Sequence, residues 1–307
     1  MPVVIVGPLA FDDVHAPAGR RSGLLGGSGA YAGIAAAKHG PAALVSIAGS
    51  DLDDELLEPV RGAGVDLAGL QRVSGRTLRW TGSYSEGLTE SAVRNADLGV
   101  VDRWDPVVPE AVRDARQVLL ANTDPGVQAR ALDQLRPDLV LLDTMDQWIR
   151  ERRRAFEAMI TRATIVSLNE GELVQLTGER DLVAAARLLI GRGPRAVVAK
   201  RGANGATLIT SGAAYALPAY PIMPIDPTGA GDALAGAFVG RLARTGRADE
   251  PGLREALAAG MAAASFAVAS FGVDALSAAT IGELEARAAW LAERGGTAEA
   301  GRLYEGR

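Results

Sequence analysis

The sequence predicts a doubly wound α/β fold, in which a mostly parallel sheet carries helices on both faces. Short runs rich in Val, Ile and Leu recur along the chain, and amphipathic stretches of about ten or more residues separate them. Runs that are apolar at every position suit strands buried on both faces, and their alternation with helices is typical of parallel βαβ units. The predicted strands are 3–6, 44–48, 118–121, 139–142, 164–168 and 196–200.

The stretches between and after these strands have helical periodicity. Several of them end at a glycine, among them Gly40, Gly178 and Gly272, as a left-handed cap after the last turn requires. The predicted helices are 29–39, 53–63, 125–135, 148–162, 170–177, 182–192, 231–245, 253–271 and 281–294.

Two stretches, 12–27 and 76–101, do not fit this alternation. Residues 77–85 alternate between apolar and polar side chains, which is typical of a solvent-facing antiparallel strand. We expect the two stretches to form a small antiparallel β lid on a single α/β domain that spans residues 1–307. Because an exposed strand edge invites pairing, such a lid also offers a contact for a homodimer.

Composition restricts the classes of protein that this chain can belong to. It has 307 residues, 48% of them hydrophobic, and its net charge of −5 gives no electrostatic reason to expect nucleic acid. It contains no cysteine, which excludes disulfides, thiolate metal sites and thiol nucleophiles. The first residues lack a basic start with an apolar stretch of about 7–15 residues, and no run of about 18 apolar residues indicates a membrane span. We therefore expect a cytoplasmic enzyme without a membrane partner.

The strongest chemical signal is Asp-Pro-Thr-Gly-Ala-Gly-Asp at residues 226–232, here called the glycine loop. Glycines let the backbone turn sharply and approach a ligand, and the unpaired N–H groups of a helix start form the positive end of its dipole. Such groups can stabilise a phosphate during transfer, and Asp232 can accept a proton from an attacking hydroxyl. The alternative is that Asp232 only caps the helix.

The glycine loop resembles the carboxy-terminal signature of the ribokinase-like, or PfkB-type, carbohydrate kinases. The resemblance implies a ribokinase-like fold and an ATP-dependent kinase. It implies that Asp232 is the general base and that the backbone of Gly229, Ala230 and Gly231 forms an anion hole. It also places Thr228 among the nucleotide contacts.

Residues 26–40 are similar to the amino-terminal signature of the same family, in which two glycines precede a substrate-contacting helix. The resemblance places Gly26, Gly27, Tyr31 and Asp12 beside the acceptor, where a carboxylate can accept hydrogen bonds from hydroxyls. Tyr31 stands where the family commonly has Asn, so ribose specificity is not implied. Core packing is the alternative for Tyr31, and a turn is the alternative for Asp12. A dinucleotide-binding fingerprint does not fit, because no strong strand directly precedes these glycines.

Asn169 and Glu172 lie three residues apart, just after the predicted strand 164–168. This spacing puts both side chains on one face of a starting helix. The pair resembles the family's Asn-x-x-Glu motif, which holds the water shell of Mg²⁺ and the phosphates. Mg²⁺ prefers oxygen ligands and keeps several waters, so one carboxylate and one amide can organise it. The alternative is that the two residues form a capping box.

Residues 197–206 resemble the strand and turn that contact the nucleotide in this family. Lys200 lies at the strand end, and Gly202 and Gly205 would admit the phosphates, although Lys200 also fits an ordinary strand end. No Gly-x-x-x-x-Gly-Lys-Ser/Thr run occurs in the sequence, which excludes a P-loop mechanism.

Three further residues are placed less directly. Ala263 belongs to a segment of small residues that by resemblance lines an adenine slot, and close helix packing explains this segment equally well. Asn122 and Asp143 follow predicted strands, and ligands bind at the carboxyl ends of parallel strands. We therefore place these two residues near the substrate.

The sequence thus predicts a kinase that uses ATP and Mg²⁺ to phosphorylate a hydroxyl of a small sugar, polyol or nucleoside. It leaves open whether a monovalent cation binds near Asp226. Two alternatives are a kinase of a vitamin-like alcohol and a non-catalytic sugar- or nucleotide-binding protein on the same fold. Asp232, Asn169 and Glu172 count against the binding protein, because a protein that only binds needs no base.

Overall fold

A computed structural model describes residues 1–85 and 91–297 of the chain. The strands are β1 (Val3–Val6), β2 (Ala10–Ala16), β3 (Gly19–Gly26), β4 (Ala42–Gly49), β5 (Val65–Val73), β6 (Leu78–Tyr84), β7 (Ser91–Asp97), β8 (Gln117–Leu120), β9 (Leu139–Asp143), β10 (Ile165–Asn169), β11 (Ala196–Lys200), β12 (Ala206–Thr210), β13 (Ala214–Leu217) and β14 (Gly296–Thr297). The α-helices are α1 (Ser28–Ala37), α2 (Glu58–Gly62), α3 (Pro125–Leu132), α4 (Asp146–Glu151), α5 (Arg153–Ile160), α6 (Glu170–Thr177), α7 (Leu182–Ile190), α8 (Ala230–Thr245), α9 (Glu250–Ala267), α10 (Asp274–Ala278) and α11 (Ile281–Ala292). Within these described ranges, every helix is too short or too polar to cross a membrane.

The main sheet has ten strands in the order β14-β13-β12-β11-β10-β9-β8-β1-β4-β5. From β11 to β5 neighbouring strands run parallel, and β12, β13 and β14 pair antiparallel at one edge. The prediction of a mostly parallel sheet is confirmed.

Side chains that alternate along a strand pack into two separate cores. In β1, Val3 and Ile5 face the core formed with α1, α8, α9 and α11, whereas Val4 and Val6 face the core formed with α3, α5, α6 and α7. Helices therefore cover both faces, which explains why the strand is apolar at every position.

The order of the strands reverses at the centre of the sheet. The chain builds outward from β1 through β4 to β5 on one side, and from β8 through β9 and β10 to β11 on the other. Ligands of open α/β sheets bind outside the carboxyl ends of the strands at such a switch point. Asp143, Asn169 and Lys200 are the last residues of β9, β10 and β11, and Asn122 follows β8.

A second sheet, here called the small sheet, has the order β3-β2-β6-β7. Its hairpins β2–β3 and β6–β7 are antiparallel, as predicted, and β2 and β6 run parallel between them. β2 follows β1, and β6 follows β5. Because β1 and β5 run in the same direction and both end at the carboxyl edge of the main sheet, β2 and β6 pair in parallel. Residues 86–90 of the predicted lid segment lie outside the described residues. That residues 1–307 form one domain stays a prediction.

Several elements differ from the predicted ones. The strands β5, β12 and β13 were not predicted. β5 contains polar residues and a glycine, and β12 and β13 lie on the two sides of a hairpin turn. The predicted helix 148–162 is divided into α4 and α5 at Arg152, whose φ of −127° is not helical. The predicted helix 53–63 begins as a 3₁₀ turn, Asp54–Leu57, before α2.

Two glycines one turn apart allow α8 to pack closely against α1. A Cβ atom at Gly236 would lie 2.2 Å from the carbonyl oxygen of Ala32, and one at Gly240 would lie 2.9 Å from that of Ala36. The two helices therefore touch backbone to backbone. This contact fixes the start of α8, which carries the end of the glycine loop, relative to α1, which carries Tyr31.

Candidate active site

The glycine loop turns into α8 at Gly229. This residue is the N-cap and has a left-handed φ of 75°, so Ala230, Gly231 and Asp232 form the first helical turn. The N–H groups of a first turn have no acceptor within the helix and point to its positive end. Asp232 is half-buried, and its pKa is raised to about 7 because burial and the charges of Asp143 and Glu172 outweigh the opposing charge of Lys200.

The ring of Tyr31 lies against the glycine loop. A Cβ atom at Gly229 would lie 2.4 Å from each of three ring atoms of Tyr31, so the Cα of Gly229 rests on the face of the ring. Tyr31 is 1% exposed, and within the described part of the chain its hydroxyl has no hydrogen-bond partner. Burial and the nearby carboxylates, led by Asp12, raise its pKa well above the ordinary value. The ring of Tyr31 therefore packs in the core, and a contact of its hydroxyl with the acceptor stays a prediction.

Tyr84, at the end of β6, connects the small sheet to the glycine loop. Its hydroxyl lies 2.9 Å from Oγ1 of Thr228. The N–H of Thr228 in turn donates to Oδ1 of buried Asp226 at 2.9 Å. Sequence reasoning missed Tyr84, because its contact joins residues 144 positions apart and no motif surrounds it.

Asp12 is buried beside the two predicted glycines. A Cβ atom at Gly26 would lie 1.9 Å from Oδ2 of Asp12, so only glycine leaves room for this carboxylate. Burial and the charges of Asp226 and Asp232 raise the pKa of Asp12 to about 8, against a hydrogen bond from the backbone of Gly27 that lowers it. Its neighbour Asp13 instead pairs with Arg79 of β6 at 3.0 Å. Asp12 therefore lies against Gly26 and close enough to the glycine loop for the charges of Asp226 and Asp232 to act on it, and its contact with an acceptor stays a prediction.

Lys200 and Asp143 form an ion pair at the carboxyl edge of the main sheet. Nζ of Lys200 lies 2.7 Å from Oδ1 of Asp143. The same Nζ lies 3.3 Å from the position of a Cβ atom at Gly231. The amine is therefore directly beside the glycine loop.

Asn169 and Glu172 form the capping box that was the alternative to a magnesium site. Oδ1 of Asn169 accepts the N–H of Glu172 at 2.8 Å, and Oε2 of Glu172 accepts the N–H of Asn169 at 2.7 Å. Burial raises the pKa of Glu172 to about 7; Asp143 adds to this rise, and Lys200 opposes it. One carboxylate oxygen of Glu172, Oε1, takes no part in the capping box.

Other predicted residues have different surroundings. The side chain of Asn122 accepts the indole N–H of Trp148 at 3.1 Å, and Ala263 is fully buried among core residues. A Cβ atom at Gly205 would lie 1.9 Å from the carbonyl oxygen of Leu217, so hairpin packing requires this glycine. Gly202 has a left-handed φ of 53° and open space around its Cα. The acceptor contact of Asn122 and the adenine slot at Ala263 stay predictions.

The sequence matches the profile described as pfkB family carbohydrate kinase over residues 6–280. It is also similar to the cytidine kinase of Thermococcus kodakarensis. The two proteins are 32% identical over 251 residues, which cover 79% of this chain and 88% of that protein.

Solved structures share the fold. The nucleoside kinase of Methanocaldococcus jannaschii, described as an archaeal member of the ribokinase family, superposes with a TM-score of 0.75 at 18% identity, covering 94% of this chain and 99% of that one. An Escherichia coli protein assigned as ribokinase II, solved in complex with ATP and Mg²⁺, superposes with a TM-score of 0.74 at 19% identity, covering 93% and 98%. The predicted ribokinase-like fold is confirmed.

Proposed function

We propose that this chain, which belongs to the pfkB family of carbohydrate kinases, phosphorylates a nucleoside, with Asp232 as the general base. The predictions of this family and of an enzyme that is a sugar or nucleoside kinase are confirmed. The observation that carries this proposal is the position of Asp232 in the first turn of α8, where its carboxyl interacts electrostatically with the Lys200 amine and with the buried carboxyl of Asp12.

Asp232 has the properties that a base needs at neutral pH. A general base is most effective when its pKa lies near the working pH, and the pKa of Asp232 is raised to about 7. In the proposed step its carboxylate takes the proton of the acceptor hydroxyl. The backbone N–H groups that follow Gly229 then stabilise the charge on the transferring phosphoryl group.

The burial of the Asp12 carboxylate supports a role for this residue in holding the acceptor. Its buried carboxylate can accept hydrogen bonds from two hydroxyls, as the vicinal hydroxyls of a ribose would supply. A Cβ atom at Gly26 would clash with this carboxylate, so the glycine is required for Asp12 to lie here. Among nucleosides we propose cytidine first, because a relative that matches 79% of this chain is a cytidine kinase.

The residues present fit Mg²⁺ bound through water. Within the described ranges, no three His, Cys, Asp or Glu side chains are arranged to hold a metal ion alone. Asp143, Glu172 and Asp232 nevertheless carry more negative charge than Lys200 offsets, and a cation relieves such repulsion. Glu172, through Oε1, and Asn169 would hold the water shell of Mg²⁺, which neutralises phosphate charge when bound.

Asp226 supports a monovalent cation site. It is fully buried, and within the described residues its Oδ2 has no hydrogen-bond partner. A buried carboxylate oxygen needs a partner, and a cation beside the loop would supply one. Activity that rises on addition of K⁺ at constant ionic strength would support this assignment, and equal activity without any alkali cation would contradict it.

The contact between Tyr84 and Thr228 supports the small sheet as a lid. Closure of this sheet over the glycine loop would keep water, a competing acceptor, away from the phosphoryl group. The edge strands β3 and β7 remain unpaired on their outer sides within the small sheet. The homodimer through this lid stays a prediction.

The test is ADP release by the purified protein with ATP and Mg²⁺ over a panel of acceptors. The panel contains cytidine and other nucleosides, free sugars including ribose, polyols and alcohols of the vitamin type. We expect ADP release that depends on a nucleoside and is strongest with cytidine. Release that depends on a vitamin-type alcohol alone would replace the proposed acceptor, and tight binding without release under any condition would support a non-catalytic binding protein.

A further inference from the structure

The Lys200–Asp143 ion pair spans a strand that lies between its two members. Asp143 ends β9, Lys200 ends β11, and β10 separates them. Neighbouring strands are about 4.8 Å apart, so the Lys200 side chain, the hydrogen bond and the Asp143 side chain together span a gap of about 10 Å at the carboxyl edge of the sheet. This path places the amine in the cleft above β10 and next to the glycine loop.

Gly231 is the residue that admits the lysine. Besides Nζ at 3.3 Å, the Cδ and Cε atoms of Lys200 lie 3.6 and 3.8 Å from the position of a Cβ atom at Gly231. The outer part of the stem therefore runs along this glycine. Gly231 therefore lets the Lys200 amine come close to the loop, in addition to the proposed close approach of a phosphate.

The amine keeps donors for a ligand. Within the described residues, its hydrogen-bond partner is Asp143, which uses one of the three N–H groups of an ammonium. The side chain of Lys200 is 16% exposed, whereas that of Asp143 is 3% exposed, so the pair opens to the cleft on the lysine side. Burial lowers the pKa of Lys200, but the charges of Asp143 and Glu172 raise this pKa by more than burial lowers it. The amine therefore stays protonated.

We infer that Lys200 is a further catalytic residue of the proposed phosphoryl transfer, which donates a hydrogen bond to the transferring group beside Gly231, and that Asp143 is its positioning residue. The inference rests on the proposed function and assigns to Asp143 a role other than acceptor binding. In the step, Asp232 takes the proton of the acceptor hydroxyl and the acceptor oxygen bonds to the γ-phosphorus. The bond from that phosphorus to the β–γ bridging oxygen breaks, and ADP leaves with the electron pair. Lys200 keeps its proton throughout.

A purely structural ion pair makes a different prediction. Loss of one member of a buried pair leaves an uncompensated charge, whereas replacement of both members by neutral side chains is often harmless to stability. If the pair only joins β9 to β11, a neutral pair should restore activity together with stability. If Lys200 acts on the phosphoryl group, a neutral pair should restore stability alone.

The experiment compares Lys200→Met, Asp143→Asn and the double variant Lys200→Met/Asp143→Asn in thermal unfolding and in steady-state kinetics with the best acceptor. We expect the double variant to unfold at the wild-type temperature and its kcat to fall by about 10²–10³, the usual effect of a lost transition-state donor. KM for the acceptor should change little. Asp143→Asn should lower kcat in the wild-type background and have no further effect when Lys200 is already Met.

The matched control is the surface pair of Arg162 and Asp133, which are 2.6 Å apart and 38% and 65% exposed. Arg162→Met/Asp133→Asn should leave kcat unchanged. A folded Lys200→Met/Asp143→Asn variant with kcat within threefold of wild type would overturn the inference while the proposed function stands. If wild-type protein releases no ADP with any acceptor, the proposed function and the inference fail together.

Discussion

The two sides of the candidate site are built in different ways. On the proposed phosphate side, the glycine loop supplies the backbone N–H groups of a helix start, and the ends of β9, β10 and β11 supply polar and charged side chains at neighbouring positions of one sheet. On the acceptor side, Asp12, Tyr31 and Tyr84 come from β2, α1 and β6, two of which belong to the small sheet. In the proposed function, phosphate transfer therefore depends on one helix start and one edge of the main sheet, whereas the choice of acceptor depends on how separate elements pack.

The largest effect should come from removing the base on the phosphate side. Asp232→Asn keeps the shape of the side chain and the backbone of the loop, so nucleotide binding should persist while kcat falls by about 10²–10⁴. Binding of ATP measured by calorimetry and kcat measured by ADP release test this expectation. Asp249→Asn is the matched control, because Asp249 caps α9 and Asn caps a helix equally well. If both variants keep full turnover, Asp232 is only part of a helix start.

The pH profile should separate the two sides. The pKa of Asp232 is raised to about 7 and that of Asp12 to about 8, and both must be carboxylates to accept protons or hydrogen bonds. Activity should therefore rise with pH, with kcat/KM increasing about a hundredfold per unit below pH 7, about tenfold per unit between pH 7 and 8, and levelling off above pH 8. Asp12→Asn should weaken acceptor binding and remove the upper step, leaving the step near pH 7. A flat profile between pH 6 and 9 would contradict both assignments.

Gly229 is the point where the two sides meet. Gly229→Ala places a Cβ atom against the Tyr31 ring at 2.4 Å, in addition to the strain of a left-handed φ of 75°. Gly178→Ala is the matched control, because Gly178 has a φ of 74° and no atom within 4 Å of that position. We expect both variants to lose stability to denaturant, and Gly229→Ala to lose about 1–3 kcal/mol more through overpacking. Equal losses would show that the loop and the Tyr31 ring can move apart without a loss of stability.

The smallest effect should come from the contact between the small sheet and the glycine loop. Tyr84→Phe removes the hydrogen bond to Thr228, which is worth about 0.5–1.5 kcal/mol and thus about a two- to tenfold loss in kcat/KM. Thr228→Val should cause the same loss, and the two changes together should not add. Tyr215→Phe, at a partly exposed tyrosine of β13, should leave the kinetics unchanged. Tyr84→Phe kinetics equal to wild type would remove the argument for a closing lid.

The sequence predicted the parts of the site whose residues are adjacent in the chain. Asp232 lies in the loop whose backbone it accompanies, and Asn169 and Glu172 are three residues apart, so short-range rules sufficed. The partnership of Lys200 with Asp143 joins residues 57 positions apart across an intervening strand, and local periodicity contains no information on it. The contact of Tyr31 with Gly229 depends on the packing of α1 against α8 and was equally hidden.

Small residues were the least informative pattern. The segment around Ala263 predicted an adenine slot, yet close helix packing gives the same pattern: a Cβ atom at Gly260 would lie 2.7 Å from the carbonyl oxygen of Leu234. The run 206–210 was missed as a strand because it directly follows a turn. Gly205 in that turn was predicted to admit phosphate; the proximity of the Leu217 carbonyl shows that strand pairing also requires a glycine here, and the phosphate contact stays a prediction.

The parallel pairing of β2 with β6 has a consequence for the order in which the molecule folds. Ala10 of β2 pairs with Leu78 of β6, and the chain between these two strands forms β3, α1, β4, α2 and β5. Contacts so distant in sequence close a long loop and form late, after the local hairpins. We therefore expect the small sheet to be completed only after β4 and β5 have joined β1. In a chain that folds in this order, Tyr84 reaches the glycine loop only after the core is in place, so the proposed closed site forms last.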